Sequence, residues 1–246
     1  MTDPKTESQR PTRRRWPDAP WRLALAWALV IGHWAFPSTA ARGAEANAWL
    51  ARWLSAQTNL QTWSADVVQT RTLKTLTQPL TAQGHVWFAA PNRFRWEIGD
   101  PPQTIAVRKT DEMLVIYPRL KRAERFPLDQ QSAGPFKDTL ALLDAGFPRS
   151  RGDLEARFQI TSQTISNDVC TVALQPRSPS ARRMMPEIRI SFGTNDWTLR
   201  STELQFADGS TMHNRFENAK LNPPIEEKLF NPVLESDIKV VEPMKR

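Results

Sequence analysis

The chain has little of what most enzyme and metal chemistry is built from: its 246 residues include one cysteine, three histidines and one tyrosine. A single cysteine excludes an internal disulfide framework and any cysteine-rich zinc module. His33 falls inside an N-terminal apolar run, so only His85 and His213 remain, and both sit in strand-like alternation where a surface or satisfied histidine is the ordinary reading. No Gly-x-Ser-x-Gly elbow, phosphate-binding loop or Gly-x-Gly-x-x-Gly turn occurs. The carboxylates are scattered, without a pair in an apolar setting. Cys170 alternates with Val169 on a strand pattern that continues through Val172 and Leu174, and reads as a small buried residue. No catalytic, metal-ligating or cofactor-binding set is assigned, and the expected activity is not enzymatic.

Long apolar runs are also missing. The run from Leu23 to Phe36 falls short of the roughly 20 residues that span a bilayer. It follows Arg10, Arg13, Arg14, Arg15 and Arg22 and precedes the small residues Ser38, Thr39, Ala40, Ala41, Gly43, Ala44 and Ala46. A basic start, a short apolar stretch and a small-residue exit describe a secretory signal peptide over residues 1–46, with cleavage near 40–46. The whole chain carries a formal charge of +7. Residues 1–46 hold seven of the 33 basic and four of the 26 acidic residues, so the remainder carries +4, spread along the chain. That distribution lacks the concentrated basic stripe of a nucleic-acid binder, and no nucleic-acid partner is expected.

A hydrophobic fraction of 40% and the absence of a glycine period point to one globular domain over residues 47–246. Asn47 is a plausible N-cap for a helix carrying Trp49, Leu50, Trp53 and Leu54 and ending near Asn59. From Trp63 the apolar period becomes two, with runs near 80–88, 93–98, 103–108, 112–117 and 121–126. Alternation stops between Pro127 and Phe158, where Pro135, Phe136, Leu140 and Leu143 follow helical spacing; a helical insertion is expected over about 130–157. Strands resume at 158–166, 169–175, 187–192, 196–206 and 211–219, a short helical turn follows Pro223-Pro224, and residues 237–241 suit a final edge strand. About eleven strands and a central helical insertion imply an antiparallel sheet or barrel.

Aromatic residues concentrate where the pattern is clearest. Trp87, Phe88, Phe94 and Trp96 lie on two strands joined at Ala90-Pro91-Asn92, and Phe126, Phe136, Phe147 and Phe158 flank the insertion. Two arrangements suit them: a closed sandwich core, or a curved sheet whose concave face is kept for an apolar ligand.

The stretch Gly84-His85-Val86-Trp87-Phe88-Ala89-Ala90-Pro91-Asn92-Arg93-Phe94-Arg95-Trp96-Glu97 resembles the LolA family of periplasmic lipoprotein carriers. Trp63 to Gln69, Leu114-Val115-Ile116-Tyr117-Pro118 and Leu229-Phe230-Asn231-Pro232 resemble further family segments in the same order. The resemblance implies a mainly β fold with some α, an unclosed antiparallel half-barrel with a helical lid. It also implies a cavity for lipoprotein acyl chains, to which Val86, Phe88, Phe94, Trp96, Ile105, Val107, Phe136, Leu140 and Leu143 would contribute. The implied partners are acylated lipoproteins, an inner-membrane lipoprotein-releasing transporter and an outer-membrane acceptor lipoprotein, met in the periplasm by a monomer. One position departs from the family: the arginine that stands before the turn proline and bonds to the lid is here Ala90. The rival expectations are a carrier of another lipid or glycolipid and an enzyme on the same half-barrel.

Overall fold

In the computed structural model, residues 39–128 and 146–242 are described. The chain enters through helix α1 (Thr39–Gln57). It begins eight residues before Asn47, because Ala40, Ala41, Ala44 and Ala46 are strong helix formers. Leu50, Trp53, Leu54 and Gln57 recur at three- and four-residue spacing and are all buried, whereas Ala51, Arg52 and Ser55 are exposed. That stripe packs against strands β7 and β8, and Trp53 stacks on Phe192 with ring centroids 4.7 Å apart.

Twelve strands form one sheet among the described residues. They are β1 (Thr62–Thr72), β2 (Leu80–Ala89), β3 (Arg93–Ile98), β4 (Thr104–Arg108), β5 (Glu112–Tyr117) and β6 (Arg122–Pro127). After the insertion come β7 (Phe158–Ser166), β8 (Val169–Pro176), β9 (Glu187–Gly193), β10 (Leu199–Gln205), β11 (Thr211–Leu221) and β12 (Lys239–Val241). The order β12-β6-β5-β4-β3-β2-β1-β11-β10-β9-β8-β7 joins two meanders through the β1–β11 pairing and leaves β12 and β7 as edges. This is an unclosed β half-barrel.

Three elements differ from the expectation drawn from the sequence. The strand expected from 196 begins at Leu199, because Asp196 Oδ1 accepts from Thr198 N (3.1 Å) and Thr198 Oγ1 (2.9 Å) and holds a turn there. A helix, α3 (Pro179–Met184), was not expected; Ser178 Oγ caps it from Ala181 N, with proline in the first turn. Strand β12 runs parallel to β6, unlike the antiparallel pairs elsewhere in the sheet. Of the insertion, helix α2 (Arg151–Arg157), capped by Ser150 Oγ, lies within the described residues; Phe136, Leu140 and Leu143 lie outside them.

The sheet is covered on both faces. On one, the central core joins the α1 stripe to Trp63, Val67, Val86, Phe88, Ile188, Ile190 and Phe192. On the other, the chain after β11 crosses β3 to β6: a 3₁₀ turn (Glu227–Phe230) buries Phe230, and Leu234 and Ile238 pack on Leu114, Ile116 and Ala123. Asn222 starts this strap in the left-handed region (φ 53°), favoured by Asn over most side chains. Its Oδ1 accepts from Gln61 N (2.8 Å) and Thr62 N (3.2 Å), and its Nδ2 donates to Asn59 O (3.3 Å), tying the α1–β1 junction to the end of β11.

Candidate functional site: the concave face of the half-barrel

Register decides which side chains share a face. Val86 pairs with Trp96 and Phe88 with Phe94 across β2 and β3, and Ala65 and Trp63 stand opposite them on β1. All six therefore project to the face that α1 covers elsewhere. The expected group Val86, Phe88, Phe94 and Trp96 is thus brought together. Strand β4 continues this face with Thr104, Ala106 and Arg108, which pair with Ile98, Trp96 and Phe94.

Ile105 and Val107 do not join them. They pair with Glu97 and Arg95 and stand on the opposite face, Val107 fully buried and Ile105, like Leu234 and Ile238, packed against Leu114, Ile116 and Ala123. Ala106 on the cavity face and Ile105 and Val107 on the strap face are all apolar, so hydrophobicity by itself did not distinguish the two faces.

Aromatic rings floor the concave face. Phe147, on the return from the insertion, stacks on Phe88 at 4.2 Å and meets Trp63 edge-on at 5.1 Å. Phe216 of β11 meets Trp63 at 5.2 Å and Trp96 at 5.8 Å, both edge-on. Such pairs add roughly 0.5–1.5 kcal/mol each beyond their buried area. Phe216, Met212, Gln69 and Asn214 were missed from the sequence; their strand parity was readable, but their place beside Trp96 depends on the β1–β11 pairing.

Beyond these rings the face opens into a cavity of about 440 Å³ bordered by Phe94, Trp96, Ile98, Ala106, Leu80 and Met212, with Gln69, Arg71 and Asn214 on one wall. Its size falls in the range of about 300–1,000 Å³ usual for small-ligand sites. A smaller pocket of about 180 Å³ lies against Phe88, Phe147, Leu154 and Phe158, with Arg108, Arg149 and Arg157 around it. No group of three His, Cys, Asp or Glu side chains placed to hold a metal occurs among the described residues. Cys170 is buried on the parity of Val172 and Leu174, and burial pushes its thiol up to about 11. His85 Nδ1 lies 2.8 Å from Asp66 Oδ1, and Asn218 Nδ2 donates to Asp66 Oδ2 (2.7 Å). These bonds, Asn218 first, hold the Asp66 carboxyl below its usual range.

The family model described as outer membrane lipoprotein carrier protein LolA matches residues 58–233, which span the meanders and most of the strap. The chain belongs to the LolA family. An outer-membrane lipoprotein carrier protein from Chromohalobacter salexigens is 28% identical over 209 residues, covering 84% of this chain and 92% of that protein. Among solved structures, an uncharacterized conserved protein from Thermus thermophilus aligns over 80% of this chain and 99% of its own, at 12% identity and a TM-score of 0.47. A LolA superfamily protein from Nitrosomonas europaea aligns over 73% and 96%, at 10% identity and a TM-score of 0.38.

The segment that resembles the LolA family divides its work by parity. Phe94 and Trp96 face the cavity, while Arg93 and Arg95 face the strap. Arg95 Nε donates to Glu97 Oε1 (2.6 Å) and its Nη1 to Leu229 O (3.1 Å); Arg93 pairs with Glu227 and lies 5.0 Å over the Phe230 ring. Gly84 has a steric reason as well: a Cβ there would stand 1.9 Å from Glu97 O. At the departing position, Ala90 N donates to Gln61 O (2.8 Å) and the methyl packs on the main core.

Proposed function

We propose that this protein is a periplasmic carrier that takes the acyl chains of lipoproteins into the concave cavity and moves them from the inner to the outer membrane. The observation that supports this most directly is the cavity itself: an unclosed sheet, in a chain of the LolA family, with Phe94, Trp96, Ile98, Ala106 and Met212 along about 440 Å³ of open space. The name of the Chromohalobacter relative agrees with this cargo.

Binding of this kind needs no reaction. Each methylene removed from water contributes about 0.8 kcal/mol, so a long acyl chain represents on the order of 10 kcal/mol, supplied by an apolar wall. Phe94 and Trp96 are the proposed acyl-facing residues, with Val86 and Phe88, on the same face, buried in the core beside them. The carrier, acting as a monomer, receives the cargo from an inner-membrane lipoprotein-releasing transporter and gives it up to an outer-membrane acceptor lipoprotein. Export to that compartment uses residues 1–46 as a cleaved signal, and the mature chain begins between residues 41 and 47.

The experiment is extraction of the protein purified from its native periplasm, followed by mass spectrometry of the organic phase and N-terminal sequencing. A bound triacylated peptide on a chain that starts within residues 41–47 supports the proposal. Free lipid or glycolipid as the sole occupant supports the other-cargo carrier, and a non-lipid small molecule an enzyme.

A further inference from the structure

Among the described residues a single charged side chain borders the open cavity, and it is positive. Arg71, near the end of β1, shares the wall with Leu80 and Met212, its register partners on β2 and β11. Along the cavity parity of β1, Val67 is buried, Gln69 half-buried and Arg71 exposed, so this face runs from the core outward to solvent. Leu80, 51% exposed beside Arg71, marks the same end as the mouth, whereas Phe94, bordering the same cavity, is 8% exposed.

Arg71 makes no side-chain hydrogen bond or ion pair with any described residue. Other strand cations are matched: Arg95 with Glu97, Arg122 with Glu124, Arg189 with Glu203 and Arg215 with Glu217. An accessible, unmatched guanidinium at the rim of an apolar cavity is placed to meet whatever leads out of it. A tail held inside carries its head past the mouth. There a guanidinium takes carboxylate or phosphate oxygens in a bidentate fork, while its methylene stem lies along the tail. A cationic head would meet it as a like charge.

We propose that the cavity selects amphiphiles whose head is anionic, with Arg71 holding the carboxylate or phosphate that stands just outside the acyl tail. This rests on the carrier reading and names the head chemistry that the same cavity takes. The anion has two sources: a lipid headgroup, or an acidic side chain that follows the acylated cysteine of a lipoprotein. Hydrocarbon contact supplies the affinity common to all tails; Arg71 supplies the difference between heads.

Two matched pairs isolate the charge, each titrated against the mature chain by displacement of an uncharged fluorescent acyl probe at low salt. One pair is 1-palmitoyl-lysophosphatidylglycerol and 1-palmitoyl-lysophosphatidylcholine; the other is a triacylated cysteine peptide continued by glutamates and its glutamine counterpart. The wild-type protein is expected to bind the anionic member about three- to tenfold more tightly, the effect of one charge-assisted contact open to solvent. Arg71→Gln is expected to bind both members with the weaker affinity. Arg119→Gln, which removes an equal charge from the exposed turn between β5 and β6, is expected to keep the preference. A preference in the lipid pair makes the headgroup the source of the anion; one in the peptide pair alone makes it the lipoprotein's own acidic residues. Should Arg71→Gln not fold, phenylglyoxal labelling of the wild type carries the test: Arg71 is modified more slowly beside the anionic member than beside the neutral one. Equal affinities in both pairs, a preference that survives in Arg71→Gln or is lost in Arg119→Gln, or equal labelling of Arg71 beside the two members overturns the proposal. Failure of all four ligands to bind the wild type overturns the carrier reading with it.

Discussion

Replacing Phe94 with glutamate puts a carboxylate on the concave wall beside Trp96 and Met113, directly opposite Arg108 of β4. Phe94 is 8% exposed, so losing its ring costs about 2–3 kcal/mol of burial. The cavity admits water to the new carboxylate, which avoids the larger penalty of a sealed, unpaired charge. Against a usual domain stability of about 5–15 kcal/mol, the lipid-free protein stays folded, with a melting temperature lower by roughly 5–10 °C. Binding suffers more. A chain denied contact with about four methylenes at ~0.8 kcal/mol each loses ~3 kcal/mol, or about a hundredfold in affinity. Val107→Glu is the counterpart on the other face. Val107 is 0% exposed, and the guanidinium opposite it, Arg95, is already bonded to Glu97 and Leu229. There the charge is sealed in, several kcal/mol are lost, and the fold is expected to fail or to melt far lower than Phe94→Glu. The assay is thermal unfolding of both variants beside titration with a fluorescent fatty-acyl probe. If Phe94→Glu unfolds as readily as Val107→Glu, or binds the probe like the wild type, the assignment of the two faces is refuted.

Arg95→Leu leaves Glu97 and the Leu229 carbonyl without their donor in a site where the two ionic side chains are only 14% and 18% exposed; a loss of about 2 kcal/mol is expected, with faster proteolysis near Leu229, and an unchanged melting curve would contradict it. Asn222→Ala removes three hydrogen bonds and keeps a Cβ at positive φ, whereas Asn222→Gly loses the bonds only; glycine is expected to be the more stable of the two by about 1 kcal/mol in denaturant unfolding, and the reverse order would remove the strain argument. Because burial pushes the Cys170 thiol up to about 11, thiol reagents at pH 8 are expected to label the native protein only slowly and the guanidinium-unfolded chain at once; rapid native labelling would place Cys170 outside the core.

Local chemistry made much of the fold legible. Alternation from Trp63 onward and the turn residues located the strands to within a few positions, and parity placed Val86, Phe88, Phe94 and Trp96 on one face. The sequence by itself also separated Arg93 and Arg95 from Phe94 and Trp96, since neighbouring strand residues point to opposite faces. Parity says which residues travel together; it does not say which face is covered, or by what. Ile105 and Val107 were read into the cavity because a hydrophobic residue on a strand looks the same under a strap as beside a ligand. Their burial depends on residues 227–241 returning across β3 to β6, a contact more than a hundred positions away in the chain. The polar wall is of the same kind: Gln69 meets Asn214, 145 residues on, because β1 pairs with β11. Hydrophobic periodicity is a local property, set within a few residues, whereas the cavity is made where two meanders join, and only tertiary pairing decides which side chains meet there.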